Sequence, residues 1–270
     1  MTTLPQTFDL HVHTSFCDGK HTPEEMVLGA MACGLETVGF SSHAPAELGA
    51  WCMKRERLAE YRAELLRLRE KYAGRIRILI GLEMDYYCER RGGWDYTIGS
   101  VHALFRNGMR CDVDHSANIT LDFVEKSFDG DMLAYCEAYY ALMADVIRKT
   151  GADIIGHFDL VTKFIEVGAP IDTAHPRYIR AWKSAADALI RTGKPFEINT
   201  GAISRGYRNA PYPASDILHY IAKNGGRAIL SSDTHAKENF AFRFDEAAAL
   251  ARETGIHLCT LSEALPGREF

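Results

Sequence analysis

Two histidines one residue apart, His11 and His13, stand at the end of the first apolar stretch of the chain. Residues two apart on a strand share a face, so both imidazoles are presented to one side. The same kind of residue closes one apolar stretch after another. His43, Glu83, His102 and His157 do so in turn, then Asp233 with His235, and Asp18 sits in the turn after the first stretch. A single histidine or carboxylate at a strand end is ordinarily a structural hydrogen-bonding residue. Their recurrence at nearly every strand end is what a shared metal site predicts. Imidazole nitrogens and carboxylate oxygens without thiolates suit borderline divalent ions such as zinc, manganese or iron. The donor set is larger than the four ligands of a structural zinc site, so it predicts two or three ions with water in the open positions. The charge of such ions outweighs Asp18, Glu83 and Asp233, which favours an anionic substrate and a deprotonated bridging water.

Such a site needs a scaffold that gathers strand ends. Short apolar runs at 7–14, 36–43, 76–85, 97–104, 153–158, 195–200 and 227–233 read as strands, with a shorter eighth candidate at 257–261. They are nearly continuously β-branched and aliphatic, the pattern of strands covered on both faces. Amphipathic stretches alternate with them. Thr22-Pro23-Glu24-Glu25 is a helix start with a capping box, and that helix stops at Gly34. Further helices at 54–73, 131–150, 177–192, 214–224 and 243–254 stop at Gly74, Gly151, Gly193, Gly225 and Gly255. Strand and helix in alternation predict a parallel α/β protein, and seven or eight such units predict a closed or nearly closed barrel. An open doubly wound sheet is the alternative, but the glycine-rich dinucleotide fingerprint is missing after the first strand. No linker is visible, which predicts one domain over 1–270. The polar, turn-rich segment 105–130 reads as an inserted loop beside the mouth of the barrel.

Composition narrows the partners. The 270 residues include 31 Lys+Arg and 36 Asp+Glu, a formal net charge of −5 with a pI near 6.1. That is no footprint for a nucleic-acid backbone. A mean hydropathy of −0.17 and the lack of a long uncharged apolar run argue against a membrane span. The opening residues show neither the basic nor the apolar region of a secretory signal. The seven cysteines are scattered, without a Cys-x-x-Cys, which predicts free thiols and a reducing cytoplasm.

The motifs Asp9-Leu-His11-Val-His13-Thr, Cys17-Asp18-Gly19, Ser42-His43, Gly81-Leu-Glu83, Gly99-Ser-Val-His102, Gly156-His157-Phe-Asp159 and Ser232-Asp233-Thr-His235 resemble the PHP superfamily, named for polymerase and histidinol phosphatase. They run through nearly the whole chain in the family's order. The resemblance implies a distorted (βα)7 TIM-like barrel with the active site at the C-terminal ends of its strands. It also implies a trinuclear centre held by His11, His13, Asp18, His43, Glu83, His102, His157, Asp233 and His235. Within the superfamily the chain is similar to the monofunctional histidinol-phosphate phosphatases. The segment from Gly156 through Lys163 and Phe164 resembles one that supplies a basic phosphate contact. Glu197-Ile-Asn199-Thr200 followed by Arg205 resembles one that supplies an arginine to the phosphate. Lys163 stands where that subfamily commonly has arginine, and Ala202-Ile203 departs from its usual continuation.

The resemblance therefore implies a metal-dependent phosphomonoesterase that turns L-histidinol phosphate into L-histidinol and phosphate in histidine biosynthesis. On that reading, metals held at the site would activate a hydroxide for in-line attack on phosphorus. Asp233, Arg205 and His235 are the catalytic candidates, and Arg205, Lys163, His102 and Phe164 the substrate contacts. Asp114, Phe105 and Phe164 are placed to meet the ammonium and imidazole of such a substrate. His21 and His115 are expected to line the pocket from their loops. The rivals are a PHP nuclease or phosphoprotein phosphatase, a regulatory domain that has lost catalysis, and an amidohydrolase barrel. The acidic pI opposes a nuclease, the filled ligand positions oppose a dead domain, and Glu83 in place of a bridging lysine opposes the last.

Overall fold

A computed structural model describes residues 4–90 and 92–268. Ten strands occur among them: β1 (Phe8–Asp9), β2 (Thr37–Phe40), β3 (Arg77–Asp85), β4 (Tyr96–Ser100), β5 (Ala103–Arg106), β6 (Met109–Asp112), β7 (Ile154–Ile155), β8 (Phe196–Asn199), β9 (Arg227–Ser231) and β10 (His257–Leu258). All but β5 and β6 join one sheet, ordered β1-β2-β3-β4-β7-β8-β9-β10, in which every neighbouring pair is parallel. The helices are α1 (Pro23–Cys33), α2 (Leu58–Lys71), α3 (Ala117–Phe128), α4 (Met132–Thr150), α5 (Pro176–Ile190), α6 (Gly201–Ser204), α7 (Ser215–Lys223), α8 (Phe244–Thr254) and α9 (Leu261–Ala264). The runs in β2, β4 and β8 are buried along their whole length, as strands of a parallel sheet covered on both faces must be.

The sheet curls until its ends approach. Val12, just past β1, bridges Thr234, just past β9, in parallel. Two backbone bonds secure that junction: His13 N–H to the Thr234 carbonyl at 2.9 Å and Thr234 N–H to the His11 carbonyl at 3.1 Å. Beneath it the interior is filled by Tyr96, whose hydroxyl donates to the Leu10 carbonyl at 2.6 Å. A Cβ on Gly39 or Gly81 would lie 2.6–2.7 Å from Tyr96 atoms, so these two strand positions must stay bare for the ring to fit.

Local signals explain the helices. Thr22 and Glu25 form the capping box of α1, with the Glu25 carboxylate accepting the Thr22 N–H at 2.9 Å. The chain leaves α1 through Gly34 at φ 89°, a conformation that costs other residues a Cβ clash. Every strand read from the sequence has a counterpart, β10 at 257–258 included. Two readings change. The stretch 97–104 is not one strand: β4 ends at Ser100, and β5 turns out of the sheet to pair antiparallel with β6. The cause is Asn107-Gly108, both at positive φ (51° and 74°), which builds a two-residue hairpin. Likewise the inserted loop read at 105–130 carries regular structure, most of that hairpin and α3, whose first turn is capped by Ser116 accepting from the Ile119 N–H. All seven cysteines are free thiols, and no helix among the described residues is long and apolar enough to cross a membrane.

Candidate metal centre

At the C-terminal end of the sheet, Glu83 is the hub. It lies in β3 and is buried, and a backbone bridge pairs it with His43, past the end of β2. Its Oε2 lies 2.9 Å from His43 Nδ1, 3.3 Å from His11 Nε2 and 3.6 Å from His13 Nε2. Its Oε1 lies 3.0 Å from His157 Nε2 and 3.3 Å from His102 Nε2, and accepts the Ser100 hydroxyl at 2.6 Å. Burial opposes ionisation of this carboxyl, but the charges of His102, His11 and His43 hold its pKa well below the ordinary value.

The remaining candidates complete the ring. Asp233 Oδ1 lies 3.3 Å from His13 Nε2 and 3.6 Å from His11 Nε2. Asp18 faces His235 at 3.3 Å and both His43 and His13 at 3.7 Å. Four overlapping groups have donor atoms close enough to share an ion: His11, His13 and Glu83; His43, Glu83 and His102; His13, Asp18, His43 and His235; His11, His157 and Asp233. All nine residues expected to bind metal therefore come together. Their chemistry fits a cation. His11 Nε2, His13 Nε2 and Glu83 Oε2 are buried without a hydrogen-bond partner, which is costly unless something positive binds all three. Burial drives His13 to a pKa of about 3, with His235 and His43 beside it adding to the effect, so His13 is a neutral donor. For His11, burial favours the neutral form, but the carboxylates of Glu197, Glu83 and Asp233 outweigh it and raise the pKa well above the ordinary value.

A supporting layer orients the candidate ligands. Glu197 in β8 is buried; its Oε1 accepts the His11 Nδ1–H at 2.7 Å, turning Nε2 toward the centre, and its Oε2 accepts the His157 backbone N–H at 3.0 Å. Asp85 accepts the His102 backbone N–H at 2.8 Å. The sequence assigned Glu197 and Asp85 no role, although Glu83/Asp85 and Glu197/Asn199 are i, i+2 pairs on strands that point one way. Glu197→Gln is expected to weaken zinc binding about 10- to 100-fold, the usual cost of losing an outer partner of a ligand histidine. Zinc titration of the metal-free variant checks this, and wild-type affinity would remove Glu197 from the centre's support.

A cavity of about 270 Å³ opens over the ring, lined by ligands on one side and by Trp51, Asp112, Asp114, His115, Lys163, Arg205 and Tyr207 elsewhere. Arg205 follows α6. Its Nη2 donates to Asp233 Oδ2 at 3.1 Å, and its Nη1 donates to the Asp233 carbonyl at 3.0 Å and lies 3.0 Å from His235 Nδ1. Gly201 makes this possible, because a Cβ there would meet Asp233 Oδ2 at 2.8 Å and Arg205 Nη2 at 2.9 Å. Lys163 is buried, bonded to the Asp114 carbonyl at 2.9 Å and carboxylate at 3.2 Å, with its ammonium 4.8 Å from the Tyr207 ring centre. His115 lines the cavity as expected; His21 does not, accepting the Lys237 N–H outside it. Phe164 and Phe105 are not among the residues that line it. Phe164 is buried with its ring against Tyr207, so Tyr207 takes the wall position, and Phe105 is exposed and packs on Tyr87. Trp51, 4.7 Å from the His43 ring and 5.2 Å from His102, had no spacing signal to reveal it. A larger cavity of about 720 Å³ lies at the starts of β2 and β3, but it contains none of these residues.

Residues 9–201 match the family model described as the PHP domain. A protein of Deinococcus radiodurans named "Probable histidinol-phosphatase" is 32% identical over 261 residues, 92% of this chain and 93% of its own. The histidinol-phosphatase of Bacillus subtilis is 26% identical, over 89% of this chain and 97% of its own. The crystal structure of histidinol phosphate phosphatase from Lactococcus lactis, solved with zinc, L-histidinol and phosphate, superposes with a TM-score of 0.71 at 23% identity, covering 94% of this chain and 95% of that one.

Proposed function

The chain belongs to the PHP domain family, and from that premise we infer that it hydrolyses L-histidinol phosphate to L-histidinol and phosphate. The observation that carries this reading is the Glu83-centred ring with Arg205 and Lys163 on the wall of one small cavity. It is a metal-dependent phosphomonoesterase, and its step belongs to histidine biosynthesis. We read 1–270 as a single barrel domain of the distorted (βα)7 type, with β10 as an added edge strand and 105–130 as an insertion at the mouth. Its free thiols suit a cytoplasmic setting.

His11, His13, Asp18, His43, Glu83, His102, His157, Asp233 and His235 would hold two or three divalent ions, zinc, manganese or iron. Bound there, such ions supply Lewis-acid charge to phosphoryl oxygens and lower the pKa of water toward neutrality. Hydrolysis joins a water oxygen to phosphorus and breaks the bond from phosphorus to the histidinol oxygen, which leaves with a proton. Arg205 and Lys163 hold the non-bridging oxygens and offset the charge that builds on them. Burial opposes ionisation of Asp233, but Arg205 and His11 keep it a carboxylate. It therefore accepts a hydrogen bond from water and orients it, with His235 beside it, rather than acting as a strong base. The cavity's size suits a small ester more than a nucleic-acid strand.

A kinetic screen of the zinc-loaded protein tests the reading. Histidinol phosphate should show a kcat/KM far above that of p-nitrophenyl phosphate or single-stranded oligonucleotides, and a chelator should abolish turnover. Oligonucleotides as the better substrate would overturn the assignment and leave family membership standing.

A further inference from the structure

Arg205 and Lys163 stand on different segments of the chain, and something must hold the two segments at one spacing. Lys163 closes a short buried helical turn, Leu160–Thr162, after β7. That turn supports itself: the Thr162 hydroxyl donates to the Asp159 carbonyl at 2.7 Å, and the Lys163 ammonium is bonded to Asp114. Arg205 lies in an excursion over 200–211. Its ends are pinned where Asn199, the last residue of β8, bridges Tyr212 in antiparallel, with N–H to carbonyl distances of 2.7 and 3.0 Å. Between the pins the regular structure is α6, four residues long, so the loop needs an anchor from outside.

Arg208 supplies it. Its side chain is only 7% exposed, which arginine tolerates when its charge is paired. Arg208 is not among the residues that line the cavity. Instead its guanidinium reaches the turn that carries Lys163. Nη1 donates to the Thr162 hydroxyl oxygen and lies 3.8 Å from Asp159 Oδ2, and the guanidinium carbon sits 4.9 Å from the Tyr212 ring centre. The residues on either side join in. The Asn209 N–H donates to Glu166 Oε1 at 3.2 Å, and Tyr207 sets its ring against Phe164. Packing alone would be served by an apolar side chain, because a buried ion pair is seldom worth more than the apolar contact that could replace it. The guanidinium adds direction, a planar set of donors committed to one hydroxyl and one carboxylate.

We propose that Arg208 is a positioning residue: it docks the loop of Arg205 onto the turn of Lys163, and so sets the spacing of the two cations that meet the phosphate without touching the ester itself. This rests on the functional reading above, in which both cations hold the non-bridging oxygens. The contacts of Arg205 with Asp233 and His235 aim its guanidinium, but they do not hold the loop that carries it. A misplacement of about 1 Å at a reacting contact costs on the order of a hundredfold.

The test is a double-mutant cycle on kcat/KM, with zinc content measured for every variant. It is run on histidinol phosphate and on p-nitrophenyl phosphate, which share the phosphate end. Arg208→Met should keep its zinc and lose roughly 10- to 100-fold on both esters. Added to Arg205→Ala it should cost less than about threefold more, because a loop without its guanidinium has nothing left to misplace. A merely structural role would instead lower both backgrounds by the same factor. Glu166→Ala cuts the exposed half of the clasp and leaves Arg208 with Thr162 and Asp159, so it reports even where Arg208→Met does not fold. Its loss should be smaller and should again require Arg205. Losses that multiply in the cycle, an unchanged kcat/KM, or a loss that tracks missing zinc overturn the positioning role. Unaltered kcat/KM in Arg205→Ala overturns the phosphate role of Arg205, and the positioning role falls with it. A wild-type protein with no preference for histidinol phosphate overturns the functional reading, and the three failures are thereby distinct.

Discussion

Glu83→Ala is expected to lose most of its bound metal and to lower kcat/KM by on the order of a thousandfold or more, the equivalent of several kcal/mol of Lewis-acid stabilisation. The size follows from position. One carboxylate faces His11, His13 and His43 with one oxygen and His102 and His157 with the other, so it takes part in more than one of the candidate ion sites. Without it, buried imidazoles face each other with less negative charge among them, and a cation placed there loses its shared anchor. Glu83→Gln separates charge from volume. It keeps an oxygen but not the charge, and its loss should approach that of the alanine variant. The same residue sets a pH dependence. Burial resists charging His102, but Glu83 and Asp85 raise its pKa well above the ordinary range, as carboxylates do for His11. In the metal-free protein these groups hold protons that a cation must displace, so zinc affinity should rise with pH and fall as it drops. Metal analysis after dialysis, with zinc-supplemented kinetics, checks each point. Full metal content with wild-type kcat/KM in Glu83→Ala would remove Glu83 from the centre.

The ring of candidate metal ligands was legible in sequence because strand geometry is periodic. Each candidate ligand but Asp18, which lies in the turn beyond, sits at or just past the C-terminal end of a strand that apolar composition already marks, and parallel strands bring those ends to one rim. His11 and His13 illustrate it: one alternation of the strand fixes their common face before any tertiary contact is known. The walls of the cavity obey no such period. Trp51 arrives on an irregular loop, and Tyr207 displaces Phe164 because one ring packs behind the other, a choice made by three-dimensional packing. The hairpin at 103–112 did carry a signal, Asn107-Gly108, but polar residues around it masked the two short strands. Glu197 shows a third kind of blindness. Its neighbourhood in sequence is an ordinary buried strand, and only the fold brings its carboxylate to His11, a residue at the far end of the chain.

Arg205→Ala is expected to cost about 2–4 kcal/mol of transition-state stabilisation, a loss of roughly 10²- to 10³-fold in kcat/KM, on the scale of removing one preorganised donor to a developing anion. The guanidinium is well placed for this. It lines the cavity, part of it reaches solvent, and it is fixed by Asp233 and His235 rather than by the core. Burial works against its charge, yet the Asp233 carboxylate more than offsets that and keeps it cationic. The same contacts create a rival explanation, in which Arg205 merely steadies Asp233 and the variant fails by losing metal. The two separate at saturating zinc. If Arg205 meets the phosphoryl group, the loss persists when zinc content is restored, and Arg205→Lys recovers only part of it, because an ammonium keeps the charge but not the planar fork that engages two oxygens at once. If zinc alone returns kcat/KM to the wild-type value, Arg205 is a positioning residue for Asp233 and makes no contact with the ester. An Arg205→Ala variant with unaltered kcat/KM at any zinc concentration would exclude it from both roles, leaving Lys163 as the cationic side chain on the cavity wall to meet the phosphate.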